Sequence, residues 1–265
     1  MANSKLMAMS ALELPPPFYE LEGQLAIDLP GARALFTTRR GGSSQPPYEG
    51  LNLGLLTDDD RAAVSANRAW LQERFGVGLA YGKQVHGRVV RVVCRPNHEA
   101  EPIIDGDAIA TASKGVGALI LTADCVPIVI AGGGAVASVH AGWRGLRDGI
   151  IAVATQTVQE LADTKAAGAG LSKSPLHAVI GPAAGSCCYE VSSELHELFS
   201  ELPGYGRRGA NLDLKSVARA QLLAAGVEEV HDIGLCTICD SRGLFYSHRR
   251  ERGITGRQGA LAWLT

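Results

Sequence analysis

Three side chains with metal-binding chemistry stand in short, turn-rich segments. They are His86 in Lys83-Gln84-Val85-His86-Gly87, Cys125 in Leu121-Thr122-Ala123-Asp124-Cys125, and His140 in Ser138-Val139-His140-Ala141-Gly142-Trp143-Arg144-Gly145. Imidazole and thiolate are ligands that zinc and copper favour, and three protein ligands leave a fourth coordination position open for chemistry. Singly, a buried histidine or cysteine is more often a packed, inert residue than a ligand. The functional reading therefore rests on what surrounds each one.

A thiolate beside a bound metal is deprotonated at neutral pH, so Cys125 needs no separate base to act as a ligand. Metal-bound histidines usually donate their other ring N–H to a carboxylate or carbonyl, and Asp105, Asp107 and Asp124 are the carboxylates close in sequence. Asp105-Gly106-Asp107 is equally well read as a plain turn ahead of a strand. Arginines stand beside glycines at Arg39 and Arg144, the latter at the start of a helix, and this suits phosphate or carboxylate binding. Arg250, Arg252 and Arg257 read as solvated charges.

The elements that must position these groups follow from hydrophobic periodicity. Strands are expected at residues 33–38, 88–93, 104–111, 117–122, 126–131, 135–140, 177–181, 230–234 and 257–263, and helices at 58–75, 146–162, 192–201 and 212–225. Residues 39–54 and 164–175 read as loops. Cys125 and His140 both fall at strand ends, where a sheet holds them but leaves them accessible. A hairpin through Gly132-Gly133-Gly134 would bring them to one sheet end. Strands and helices mix without strict alternation, which predicts a single-domain α/β (α+β) sandwich with mixed β-sheets flanked by helices. The expected division is a partly disordered lead-in over residues 1–30 and one catalytic domain over residues 31–265.

Composition narrows the function classes. The chain has 265 residues, 46% of them hydrophobic, with a formal net charge of −2, so a sizeable core can form and no general basic face calls for nucleic acid. The most apolar stretch, residues 116–139, is broken by Asp124, Pro127 and three glycines, so no membrane span is expected. Met1–Leu14 lacks the features of a signal peptide. With six cysteines and no export signal, the expectation is reduced thiols in the cytoplasm. Cys236-Thr237-Ile238-Cys239 has the gap of a metal knuckle or redox pair. No second such pair completes a four-cysteine site, so two thiols at a strand end is the expected reading. Adjacent Cys187 and Cys188 cannot easily pair with each other and read as structural. His98, His177, His196 and His231 read as non-ligands.

Several ordered motifs resemble one family, variously known as the laccase-domain, multicopper polyphenol oxidase, purine nucleoside phosphorylase or peptidoglycan editing factor family. They are Phe36-Thr37-Thr38-Arg39 with Gly41-Gly42, Leu51-Asn52-Leu53-Gly54, Lys83-Gln84-Val85-His86, Asp105-Gly106-Asp107-Ala108 and Thr122-Ala123-Asp124-Cys125. Further on come residues 139–145, Ile180-Gly181-Pro182 with Cys188-Tyr189-Glu190-Val191, and Phe245-Tyr246-Ser247-His248-Arg249-Arg250. The resemblance spans residues 33–264. It implies a zinc enzyme that phosphorolyses adenosine, inosine, guanosine and methylthioadenosine and deaminates adenosine, with His86, Cys125 and His140 as the ligands.

On that reading Arg39 and Arg144 hold phosphate, Asp107 or Asp124 moves a proton, and Asn52, Asp107 and Arg249 contact substrate. The partners are purine nucleosides and phosphate, with no nucleic acid, membrane or obligate protein partner. Two other activities remain open. One is a copper polyphenol oxidase, although a single three-ligand site is too small for the several coppers of a four-electron oxygen reduction. The other is a cysteine hydrolase editing peptidoglycan precursors, with Cys125 attacking and His140 as its base.

Overall fold

Strands that are apolar on every residue need cover on both faces. Three seven-residue strands here have every residue buried: β8 (Val126–Gly132), β9 (Ala135–Ala141) and β14 (Gln258–Leu264). A computed structural model, describing residues 13–98, 103–169 and 174–265, shows how that cover is built. The remaining strands are β1 (Tyr19–Leu21), β2 (Gln24–Leu29), β3 (Ala32–Phe36), β4 (Gly78–Ala80), β5 (Val90–Val92), β6 (Ala108–Thr111), β7 (Val116–Thr122), β10 (His177–Ile180), β11 (Arg207–Arg208), β12 (Asn211–Leu212) and β13 (Glu229–Asp232). The helices are α1 (Arg61–Phe75), α2 (Trp143–Asp148), α3 (Ile150–Ala169), α4 (Ser193–Phe199) and α5 (Leu214–Ala224).

Two six-stranded mixed sheets stack face to face, ordered β1-β2-β3-β14-β7-β4 and β13-β10-β8-β9-β6-β5, with β11 and β12 forming a small ribbon. Between the sheets lie Leu25, Ile27, Phe36 and Ile120 from the first and Ile109, Val129, Val136 and Val179 from the second. The period of two along β8 sends Ile128 and Ile130 to its other face, where they join Ile150, Ile151, Ala154 and Val158 of α3 and Val217 and Leu222 of α5. Leu71 of α1 covers the outside of the first sheet with Leu119 and Leu261. The result is the expected sandwich of mixed sheets flanked by helices.

Some boundaries differ from expectation. Residues 1–12 of the expected lead-in lie outside the described residues, but residues 19–29, assigned to it, form β1 and β2. β1 pairs with β2 and β2 with β3, and Leu25 and Ile27 are buried. Alternating apolar residues carried the signal, and the preceding proline run masked it. The loop expected at 164–175 is shorter, because α3 runs on to Ala169 and residues 170–173 lie outside the described residues. Short β4, β11 and β12 had no periodic pattern to announce them.

The site's position follows from two connections. Ala123-Asp124-Cys125 carries the chain from β7 in one sheet to β8 in the other, so Cys125 stands at a corner between sheets. The β8–β9 hairpin turns through Gly133 and Gly134, both at positive φ, and its register places Pro127 opposite His140 and Val126 opposite Ala141. Cys125 and the end of β9 therefore meet at one edge, as the sequence implied.

Candidate metal centre and its pocket

His86, Cys125 and His140 converge, with their ligand atoms all within 4.8 Å of one another. His86 Nε2 is 3.8 Å from Cys125 Sγ, and the two imidazole rings stand edge to face at 4.8 Å between centroids. Sulfur and nitrogen on one tetrahedral zinc would be about 3.6 Å apart, from bond lengths of about 2.3 and 2.1 Å. The three donors thus fit a shared ion with little movement.

Asp107, fully buried, organises two of these three. Its Oδ1 accepts from the His86 backbone N–H at 2.9 Å and lies 2.9 Å from His140 Nδ1, while Oδ2 accepts from the Val85 and Gly87 N–H groups at 3.2 and 2.9 Å. One carboxylate thereby folds the His86 turn around itself and directs Nδ1 of His140 inward, leaving Nε2 for a metal. His86 sits at φ 60, a conformation that a non-glycine residue adopts only when its surroundings enforce it. Gln84 adds a second tie, donating to Leu121 O and accepting from Leu121 N, both at 2.7 Å.

The Cys125 corner is held just as firmly. Asp124, at φ 87, accepts from Thr237 Oγ1 at 2.6 Å on one oxygen, and from Ser247 Oγ at 3.1 Å and Arg249 N at 2.7 Å on the other. Gly142 closes the third side, where an added Cβ would lie 2.8 Å from His86 Cδ2 and 3.3 Å from Cys125 Sγ. The two imidazoles and the sulfur share their charges. Burial would raise the Cys125 thiol, but His140 first and His86 second outweigh it and hold the thiol down at about 6. Burial would lower His140, but Cys125 and then Asp107 raise it to about 9. In Asp107 the upward push of burial is overcome by His140 and the Gly87 and Val85 amides, leaving it below the usual carboxylate range.

The three donors open into a pocket of about 390 Å³, in the range of small-ligand sites. Leu55, Leu56, Tyr81 and Ile103 give it apolar wall, and Arg68, Lys83, His248 and Arg257 give it polar and cationic wall. Arg68 is 7% exposed and lies 4.3 Å over the Tyr81 ring. Its Nε donates to Leu53 O, while its Nη1 has no hydrogen-bond partner among the described residues. Burial lowers it to about 10. Arg257, expected in solvent, lines the same pocket. Arg250 is also tied in, donating to the Thr237 and Phe245 carbonyls, and only Arg252 is exposed.

Other expected site residues fall elsewhere. Asp107 and Asn52 are fully buried, and Asn52 bonds Thr57, Asp59 and the Gly54 and Arg257 amides, a brace for the loop around it. Arg39 pairs with Glu251 at 2.7 Å and stacks on Tyr246, and it does not line the pocket. Arg144 is exposed and stacked on Trp143. Arg249 donates to Glu190 O and stacks on Tyr189, whose hydroxyl is raised to about 12 by burial and then by the Cys125 charge. Arg68 and Arg257 were missed because they sit apart in sequence. The available signal was an arginine in the apolar stripe of α1, four residues after Val64 and three before Leu71.

Cys187, Cys188, Cys236 and Cys239 also converge, with all four sulfurs within 4.8 Å. This corrects the reading of Cys236 and Cys239 as an isolated pair, because adjacent Cys187 and Cys188 supply the other two sulfurs despite their unusual spacing.

The family model described as multi-copper polyphenol oxidoreductase laccase matches residues 33–265. The chain belongs to this laccase-like family. Among its relatives, a protein of Pseudomonas aeruginosa named purine nucleoside phosphorylase is 39% identical over 245 residues, covering 88% of this chain and 93% of that protein. One of the same name from Corynebacterium glutamicum is 35% identical over 242 residues, covering 88% and 94%. The crystal structure of YlmD from Geobacillus stearothermophilus superposes with a TM-score of 0.82 at 34% identity, covering 94% of this chain and 99% of that one. This laccase-like chain therefore carries the family fold, with two side-chain groups among the described residues that could hold metal. Among its described residues no helix is long and apolar enough to cross a membrane.

Proposed function

We propose that this chain is a zinc-dependent purine nucleoside phosphorylase whose ion is held by His86, Cys125 and His140. The observation that carries the reading is a single pocket lined by all three donors and by the cations Arg68, Lys83 and Arg257. The names of its relatives support the same reaction. Bound zinc would supply a Lewis acid at the pocket floor.

The chain's own residues do the rest. Asp107 keeps His86 and His140 aimed. Arg68 offers its unpartnered Nη1, and Arg257 its guanidinium, to phosphate oxygens, which lets these cations take the role first given to Arg39 and Arg144. Tyr81, Leu55, Leu56 and Ile103 form the apolar wall against which a purine packs. A phosphate oxygen bonds to ribose C1′ as the bond from C1′ to the base nitrogen breaks. The electron pair leaves with the base, which takes up a proton, and the positive charge that develops on the sugar faces the bound phosphate. Adenosine, inosine, guanosine and methylthioadenosine are the proposed nucleosides. Adenosine deamination is the less supported addition, because both oxygens of Asp107 and of Asp124 are already engaged and neither carboxylate is free to move a proton. The six cysteines are all free thiols, which supports a reducing, cytoplasmic setting.

A second reading has its own support. Cys125, His140 and Asp107 follow one another in the order of a thiol nucleophile, its base and the base's orienting carboxylate. A copper oxidase is disfavoured by ligand supply, since one three-ligand His/Cys site and a four-cysteine cluster do not provide for the several coppers of a four-electron oxygen reduction. Stripping metal with a chelator and adding zinc back separates the two enzymes. Phosphate-dependent release of base that disappears on chelation and returns with zinc supports the phosphorylase. Turnover indifferent to chelation and blocked by alkylating Cys125 supports the hydrolase.

A further inference from the structure

We propose that Cys187, Cys188, Cys236 and Cys239 form a second, structural metal site for a thiophilic divalent cation of the zinc class. The four sulfurs lie within 4.8 Å of one another, and Cys187 Sγ is 3.5 Å from Cys239 Sγ. Four sulfurs on one tetrahedral zinc stand about 3.8 Å apart, given a bond of about 2.3 Å. The cluster already has nearly that shape. All four are free thiols.

The backbone is arranged for a thiolate. Gly185 N–H donates to Cys236 Sγ at 3.3 Å, and the Ile238 and Cys239 amides, two and three residues further on, also point to this sulfur. In a Cys-x-x-Cys turn that arrangement stabilises negative charge on the first sulfur, as a metal ligand requires. Two turns far apart in sequence are brought into register by the parallel bridge between Ala183 and Cys236, with Thr237 N–H donating to Ala183 O at 3.0 Å. A peptide-bonded Cys187-Cys188 pair cannot readily close on itself as a disulfide, whereas it can place two sulfurs on one ion.

With four protein ligands the site is coordinatively closed, so its role is to hold structure. What it holds is the support of Cys125. The turns it would join carry Thr237, which donates to Asp124 Oδ1, and Ala184, whose N–H donates to Asp124 O at 2.9 Å. An ion here pins the corner between the sheets from behind, distinct from the ion at His86, Cys125 and His140.

Elemental analysis of the full-length protein, with cobalt substitution, tests the proposal. Wild-type protein should hold two zinc ions per chain, and Cys239→Ser one. Cys125→Ala, which removes a ligand only from the first site, should still bind cobalt with the charge-transfer and visible bands of a tetrahedral tetrathiolate. Because Cys239→Ser could fail to fold, the cobalt spectrum of Cys125→Ala stands as an independent arm, and it is indifferent to whether the enzyme is a phosphorylase. One ion per chain in both wild type and Cys239→Ser would overturn the site, as would a Cys125→Ala spectrum lacking thiolate bands. A disulfide among these four cysteines, found by mass in thiol-blocked protein, would also overturn it in favour of a redox pair.

Discussion

Cys125 and His140 are worth the most at the scale of single residues. Cys125→Ala leaves two imidazoles without their sulfur; bound metal at this site and phosphorolysis should both be lost, while thermal unfolding stays near wild type, checked by metal analysis beside calorimetry. The thiol's low value also has a sign that can be checked. Below about 6 it is protonated and above it is a thiolate. In chelator-treated protein, alkylation of Cys125 by iodoacetamide should therefore rise as pH climbs through about 6 and be level in the neutral range; a half-point near the ordinary 9.0 contradicts the charge sharing with His140. Arg257→Ala should raise the phosphate KM by about 10- to 100-fold, the loss of a charge-assisted hydrogen bond of about 1.5–3 kcal/mol, with nucleoside binding little changed. An unaltered phosphate KM removes Arg257 from that role. The three donors were legible in sequence because each lies inside a compact motif. The pocket cations were harder to read, because Arg68 was marked only by its place in the apolar stripe of α1 and Arg257, just ahead of β14, by nothing local.

At the scale of elements, the site is a meeting of turns that sheets hold in place. Gly142 is the point of closest approach, lying between the end of β9 and α2. A methyl group there meets His86 Cδ2 at 2.8 Å, so Gly142→Ala should weaken metal binding and turnover together while α2 still forms, measured by zinc affinity and far-ultraviolet dichroism. Asp107 acts through both histidine segments. Replacing it by Ala removes the acceptor of three backbone N–H groups and should lower metal affinity by about 10- to 100-fold, the usual cost of losing a carboxylate behind a ligand. The long strands, α1 and the β8–β9 hairpin could be read from periodicity and the glycine turn. The four-cysteine cluster could not, since sequence spacing shows nothing of the bridge between Ala183 and Cys236 that unites its halves.

For the whole molecule, the order of the sheets shows how the site is braced. The last strand, β14, lies in the middle of the first sheet between β3 and β7, so both ends of the described chain are locked into one layer. The two sheets share an apolar interior, and β7 and β8 hand the chain from one to the other at Cys125. The sequence pointed to a sandwich of mixed sheets, but nothing in its periodicity revealed which strands are neighbours, because pairing depends on contacts far apart in the chain. The central claim is that this frame presents a metal and a phosphate to one nucleoside. Purified zinc-loaded protein incubated with adenosine, with and without phosphate, tests it by the mass of the sugar product. Free adenine together with ribose 1-phosphate, formed only when phosphate is present, is the expected result; free ribose regardless of phosphate, or intact adenosine in both reactions, would contradict it.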